Sequence, residues 1–158
     1  MNVRRLSIAA AMATAGGLLI ALATPIARSS PPANGDIEAP PEIALTLRQA
    51  CYDCHSGQTR WPWYTRVPLL SRVAVKEVEL GRRQVNFSQW DSYYPATRRR
   101  KLKWIGRALQ QQDMPPLSYR LLHPDARLTD ADRIAIERWI DSQLADDHAP
   151  AAGHRVSK

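Results

Sequence analysis

Residues with sulfur or imidazole side chains are few in this sequence of 158 residues, which has two cysteines, three methionines and four histidines. A structural zinc site commonly uses four such side chains. Next to the cysteine pair only His55 is available, and among the other histidines only His123 lies in the predicted ordered core. A zinc centre is therefore disfavoured.

Strand patterns are also missing, because no segment alternates polar and apolar residues over the length of a strand, and no internal repeat is present. The lack of a strand before the cysteine pair disfavours a thioredoxin-type redox site, whose motif is expected within a βαβ pattern. Helical spacing of apolar residues instead predicts an all-α fold. We expect helices from Pro41, from Pro68, from Pro95 and after Thr129, where Asp132 completes a capping pair.

Charge is absent from Leu6 to Ala27, a small and apolar run that follows Arg4 and Arg5. This layout is typical of a secretory signal, and the run is also long enough for a single membrane anchor. We therefore predict that residues 1–29 are a signal peptide or an N-terminal membrane anchor. The protein is expected to be exported to the periplasm, either soluble or tethered to the inner membrane through Leu6 to Ala27.

The remaining chain divides by composition. Residues 30–40 are rich in proline and lack periodicity, which predicts a flexible linker. Residues 41–147 carry the helical patterns and form the predicted domain, and residues 148–158 are predicted to be a disordered tail.

The net charge of +7 includes Arg4, Arg5 and Arg28, which all precede the first acidic residue, Asp36. The folded domain is therefore less basic than the whole chain. Export disfavours nucleic acid as a partner, which leaves acidic redox proteins or anionic lipid as the expected targets of the positive charge. The basic run from Arg98 to Lys101, with Lys103, is either a docking face for such a protein or a solvated helix face.

The strongest motif is Cys51-Tyr52-Asp53-Cys54-His55, which has the C-x-x-C-H pattern of covalent c-type haem attachment. Two thiols three residues apart at the end of a helix share one face, where they can add to the vinyl groups of one porphyrin. The adjacent imidazole then lies over the ring and binds the iron as the proximal ligand. A structural disulfide is the main alternative for the cysteine pair. The motif predicts one covalently bound haem c.

The residue on the other face of the iron decides between electron transfer and ligand chemistry. Met1 and Met12 belong to the export segment, so Met114 is the one methionine left, in a proline-stiffened loop before the last helix. We predict Met114 as the distal ligand. His123 is the alternative, although a bond to a backbone carbonyl or a haem propionate is the more common role for such a histidine.

Three aromatic residues, Trp61, Trp63 and Tyr64, follow the haem motif closely. Their rings are predicted to pack against the porphyrin and to keep water from the iron. The alternative is ordinary core packing, and the two roles overlap in a small haem protein.

From about Ala50 to Trp139 the chain resembles the small cytochrome-c-like family known as the haem-binding domain. The resemblance implies an all-α, cytochrome c-like domain wrapped around one covalent haem, export, and Met114 opposite His55, but no defined reaction. Gly57 departs from the family pattern, in which a polar residue is expected. The matching pieces are Cys51 to Ser56, Thr59, Trp61 to Tyr64, Gly81-Arg82, Asn86 to Ser88, Trp90, Met114 to Pro116, Tyr119, His123-Pro124 and Leu128 to Trp139.

Three functions are consistent with these features. The leading hypothesis is an exported single-haem electron carrier in which His55 and Met114 bind the iron. The alternative is a five-coordinate haem peroxidase or a gas or redox sensor, in which Met114 does not bind. The third is an interaction module, tethered by its N-terminal segment, that delivers electrons to one fixed redox partner.

Overall fold

The computed structural model describes residues 3–24 and 28–146, and in these residues every regular element is helical. The predicted all-α class is confirmed. Short 3-10 turns at Trp63–Arg66, Phe87–Ser92 and Pro124–Ala126 connect the longer elements. The α-helices are α1 (Val3–Ala23), α2 (Pro41–Ala50), α3 (Tyr52–His55), α4 (Pro68–Gln84), α5 (Pro95–Gln110), α6 (Leu117–Leu122) and α7 (Asp130–Asp146).

The core lies where α2, α5 and α7 meet, with the turn at Phe87–Ser92 packed against it. Apolar residues at helical spacing, such as Leu102 and Ile105 on α5 and Ile136 on α7, are buried there. Tyr52 on α3 stacks on Phe87, with 5.3 Å between the ring centroids. Tyr52, the first residue of α3, is thus fixed to the core by aromatic packing.

The start of α7 has the predicted capping pair. The Thr129 hydroxyl accepts the backbone N–H of Asp132 at 3.1 Å, and the Asp132 carboxylate accepts the backbone N–H of Thr129 at 2.8 Å. Two donors that the helix leaves unpaired are thereby satisfied. The prediction for this helix start is confirmed.

The end of α5 has a Schellman arrangement. Gln112 takes the left-handed conformation, with φ of 57°, and its N–H donates to the Leu109 carbonyl at 3.0 Å. The next N–H, of Asp113, donates to the Ala108 carbonyl at 3.1 Å. The chain therefore turns sharply at this point and leads directly into the loop that carries Met114.

The first helix of the domain is shorter than its apolar spacing suggests. Ile43 and Leu47 are buried, as the pattern predicts, but α2 ends at Ala50 because Cys51 has φ of −123°. The last turn of the haem motif is a separate helix, α3. The break redirects α3 across α4, where the two backbones come into close contact.

The structure differs from the flexible linker predicted at residues 30–40. The Asn34 N–H donates to the Ser88 carbonyl at 2.6 Å, and the Trp90 N–H donates to the Gly35 carbonyl at 2.9 Å. Ile37 is buried in the core. Backbone pairing with the Phe87–Ser92 turn, which no local pattern reveals, orders this proline-rich segment.

Most of the predicted export segment forms α1, which follows from its helix-favouring alanine and leucine content. Within residues 3–24 and 28–146, no helix has both the length and the apolar character needed to cross a membrane. The predicted disordered tail, 148–158, lies outside the described residues.

Candidate haem site

An apolar cleft lies between α3, α4, α5 and the loop that leads into α6. The cleft holds about 930 Å³ of space, part of which is open solvent. Every residue predicted to bond to haem or iron, except the alternative ligand His123, lines it. These residues are Cys51, Cys54, His55 and Met114.

His55 is held in a single orientation by the backbone of the chain. Its Nδ1 lies 3.2 Å from the Val85 carbonyl oxygen, and an N–H donated there leaves Nε2 as the free lone pair. The centres of the Phe87 and Trp104 rings each lie 6.1 Å from the centre of the imidazole. In metal sites, a hydrogen bond from the ring nitrogen that does not bind the metal fixes the tautomer and the ring plane of a histidine ligand. The contact between His55 Nδ1 and the Val85 carbonyl is of this kind.

Burial lowers the pKa of His55, since desolvation disfavours the imidazolium. Lys101 acts in the same direction, while hydrogen bonds to the Val85 and Gly81 backbone oppose the shift. The neutral ring is the form that binds a metal.

Cys51 and Cys54 line the same cleft and are not joined by a disulfide. Burial raises the pKa of Cys51 to about 12 and that of Cys54 to about 11. Both thiols are therefore held in the neutral form. Among the described residues, no three His, Cys, Asp or Glu side chains form a group that could hold a metal ion.

Gly81 permits α4 to pack directly on the haem motif. A Cβ atom added there would lie 2.5 Å from the Cys54 carbonyl oxygen, closer than atoms in contact allow. Any side chain at this position would push α4 away from α3.

Arg82, the next residue on α4, holds the turn that follows the motif. Its Nε donates to the Ser56 carbonyl at 2.8 Å, and its Nη2 donates to the Thr59 hydroxyl at 2.9 Å. Within this turn, a Cβ at Gly57 would lie 2.4 Å from the Pro31 carbonyl oxygen. The close passage of the 30–40 segment explains why this chain has glycine where the family pattern has a polar residue.

Asp53, inside the motif, is buried and joins three parts of the chain. Its Oδ1 accepts the backbone N–H of Arg60 at 2.9 Å, and the Arg60 guanidinium lies 3.3 Å away. On the other side, Oδ2 accepts the hydroxyl of Tyr119 at 2.6 Å. Burial and the bond to Asp53 both raise the pKa of Tyr119, so its hydroxyl stays protonated and can donate.

Met114 is half-buried at the wall of the cleft formed by the loop before α6. Arg133 on α7 donates to the Leu109 carbonyl at 3.2 Å and to the Met114 carbonyl at 3.4 Å. The loop is thus tied to two helices, and Met114 lines the same cleft as His55.

His123 does not line this cleft. Its Nδ1 lies 3.0 Å from the Tyr119 carbonyl oxygen, and its ring stacks on that of Tyr119 at 4.0 Å. His123 is thus bonded to a backbone carbonyl, which is one of the roles expected for it. Its use as a distal ligand stays a prediction that the geometry does not favour.

The three aromatic residues after the motif are divided between different environments. Trp61 and Tyr64 line a neighbouring cleft of about 1,040 Å³ that shares Cys54 and Tyr119 with the first. The guanidinium of Arg28 lies 5.6 Å from the centre of the Trp61 ring, while Trp63 is 74% exposed. None of the three lines the cleft of His55, and their packing against haem stays a prediction.

The basic run on α5 is partly engaged within the molecule. Arg98 pairs with Asp91 at 3.2 Å, and the Lys101 ammonium lies 4.4 Å above the Tyr93 ring. Arg99 donates to the Leu144 carbonyl at 3.4 Å. These side chains help to fix α5 in the fold, besides any role at the surface.

Three contributors to the site had no specific role in the sequence analysis. Trp104 faces the imidazole, Asp53 anchors the motif, and Tyr119 reaches it from α6. The family resemblance includes Tyr119 but gives it no role. An acid between two cysteines is a detectable signal, but its partner lies 66 residues away.

The donor set fits a c-type haem. Cys51, Cys54, His55 and Met114 line one apolar cleft, and two thiols, an imidazole and a thioether are groups that can attach such a haem and bind its iron.

Comparison with known proteins supports a haem protein. A cytochrome c peroxidase, Ccp, of Escherichia coli (strain K12) is 25% identical over 113 residues, which cover 68% of this chain and 24% of that protein. This chain thus spans about a quarter of the length of that relative. No solved structure matches. The family model of the haem-binding domain matches residues 17–142, and the chain therefore belongs to the haem-binding domain family.

Proposed function

We propose that this chain is an exported, single-haem c-type protein that transfers electrons. In this proposal Cys51 and Cys54 would attach the haem, and His55 and Met114 would hold its iron. The observation that carries the proposal is that these four residues line one apolar cleft.

The bound haem iron would supply a one-electron redox couple, and methionine–histidine ligation gives such a couple a high potential. The chain supplies the surroundings. The Val85 carbonyl orients the imidazole, and Phe87, Trp104 and Ile105 form apolar walls of the cleft. Arg133 steadies the backbone that carries Met114.

Export to the periplasm is part of the proposal, supported by the uncharged run after Arg4 and Arg5. Acidic redox proteins are the proposed partners, because the chain is basic overall. The basic face of α5 is the candidate docking surface, although Arg98 and Lys101 also make contacts within the protein.

The second candidate is a peroxidase or sensor in which the distal side of the iron is open. It is favoured by the similarity to a protein named as a cytochrome c peroxidase. The two candidates differ in whether Met114 binds the iron.

The optical spectrum separates these two candidates. The carrier proposal predicts that the oxidised protein has the near-infrared band of thioether-to-iron ligation and that the reduced protein binds carbon monoxide poorly. Met114→Ala should abolish the band and permit carbon monoxide to bind. His123→Ala should retain the wild-type spectrum.

Two results would contradict the carrier proposal. Ready binding of carbon monoxide by the wild-type protein, without the near-infrared band, would support the open-site candidate. An unchanged spectrum in Met114→Ala would show that Met114 is not the ligand, and His123→Ala would then become the decisive variant.

A further inference from the structure

Tyr119 connects the two sides of the candidate haem site. Its side chain lines both the cleft of His55 and the neighbouring cleft. Its hydroxyl donates to Asp53, one residue before Cys54 in the attachment motif, at 2.6 Å. Tyr119 on α6, which follows the Met114 loop, is therefore bonded directly to α3, which carries His55.

The Asp53 end of this bond is rigid. Asp53 is buried, and its other oxygen is occupied by the backbone N–H and the guanidinium of Arg60. The Thr59 hydroxyl also donates to the Asp53 carbonyl at 2.7 Å. A buried carboxylate with these partners has little freedom to follow a moving tyrosine.

The Tyr119 end is rigid as well. The His123 ring stacks on Tyr119 with a tilt of 15°, and the Tyr64 ring meets His123 edge-on, with 5.8 Å between the centroids. Pro115 and Pro116, which restrict the backbone, link Met114 to the start of α6. A displacement of Tyr119 is therefore passed to Met114 through a stiff connection.

We propose that Tyr119 is a positioning residue for the distal ligand. Through its bond to Asp53 it holds the Met114 segment opposite His55, so that the thioether occupies the sixth coordination position in nearly all molecules. This inference rests on the proposed function, because it assumes that His55 and Met114 bind the iron.

The test is the affinity of the oxidised holoprotein for imidazole, a small ligand that binds only where the sixth position is open. Its apparent affinity rises in proportion to the open fraction. Tyr119→Phe keeps the ring and removes the hydroxyl. Loss of a hydrogen bond to a charged acceptor should increase the imidazole affinity about ten-fold or more and weaken the near-infrared thioether band.

Asp53→Asn, which weakens the same bond from its other end, should shift the affinity in the same direction. Tyr94→Phe is the matched control, since Tyr94 is 82% exposed and lies outside the cleft, and it should bind imidazole as the wild type does. Helical circular dichroism, measured on each variant, identifies any loss of fold.

The outcomes separate this inference from the proposed function. If wild type has the thioether band, Met114→Ala loses it, and folded Tyr119→Phe binds imidazole with wild-type affinity, the positioning role is wrong and the carrier proposal stands. If Met114→Ala has the wild-type spectrum, the ligand assignment fails and the positioning role fails with it.

Discussion

At the scale of single residues, the chemistry of the site follows from short sequence spacing. Cys51, Cys54 and His55 are close in the chain, so their approach is decided by one helical turn and could be predicted. The roles of Asp53 and Tyr119 could not, because a hydrogen bond across 66 residues depends on where α6 packs.

Gly81 gives a prediction at the scale of one residue, in which the direction of the stability change is informative. Gly81→Ala should lower the free energy of unfolding by about 1–3 kcal/mol, because its Cβ would collide with the Cys54 carbonyl. Denaturant unfolding, monitored by circular dichroism, measures the change. Under the proposed function, the same variant should also carry less covalently attached haem, since α3 is displaced.

Gly106→Ala is the control for Gly81→Ala. Gly106 lies inside α5, and a Cβ there would meet no atom within 4 Å. Alanine should raise the free energy of unfolding by about 0.5–1 kcal/mol at this open helix position. An equal gain in stability from both substitutions would contradict the close packing of α4 on the haem motif.

At the scale of elements, helix starts were predictable where proline or a capping pair marks them. α4 and α5 begin at Pro68 and Pro95 as expected, and Thr129 caps α7. The break at Cys51 and the ordering of residues 30–40 were not predictable. Both depend on packing against distant segments, the first on α4 and the second on the Phe87–Ser92 turn.

The cap of α7 gives an element-scale prediction. Thr129→Ala should lower the free energy of unfolding by about 1 kcal/mol at neutral pH, since a helix donor loses its acceptor. Thr46→Ala is the matched control. The Thr46 hydroxyl bonds back to the Glu42 carbonyl inside α2, so its loss should change stability little.

The Thr129 effect should also depend on pH. Hydrogen bonds from Thr129 lower the pKa of Asp132 below its ordinary value of 3.8. The stability that this carboxylate contributes is therefore complete above that value and is lost as the pH falls through the lower folded value. The difference between wild type and Thr129→Ala should shrink in acid, and a constant difference would contradict the pairing.

At the scale of the whole molecule, the helices place two cysteines, a histidine and a methionine around one apolar cleft, although Met114 is far from the motif in sequence. The all-α class was predictable from periodicity. The choice of Met114 over His123 depended on counting the available methionines, and the geometry now favours the same residue, because His123 is bonded to the Tyr119 backbone.

The central claim is that haem is attached covalently through Cys51 and Cys54. The most direct measurement is mass spectrometry of the denatured holoprotein after acid extraction of unbound haem, with alkylation of any free thiols. We predict a mass increased by one haem, located on the peptide that contains Cys51 to His55, with both thiols protected from alkylation. Extraction of the haem by acid, leaving a chain without haem whose two thiols are both alkylated, would contradict covalent attachment.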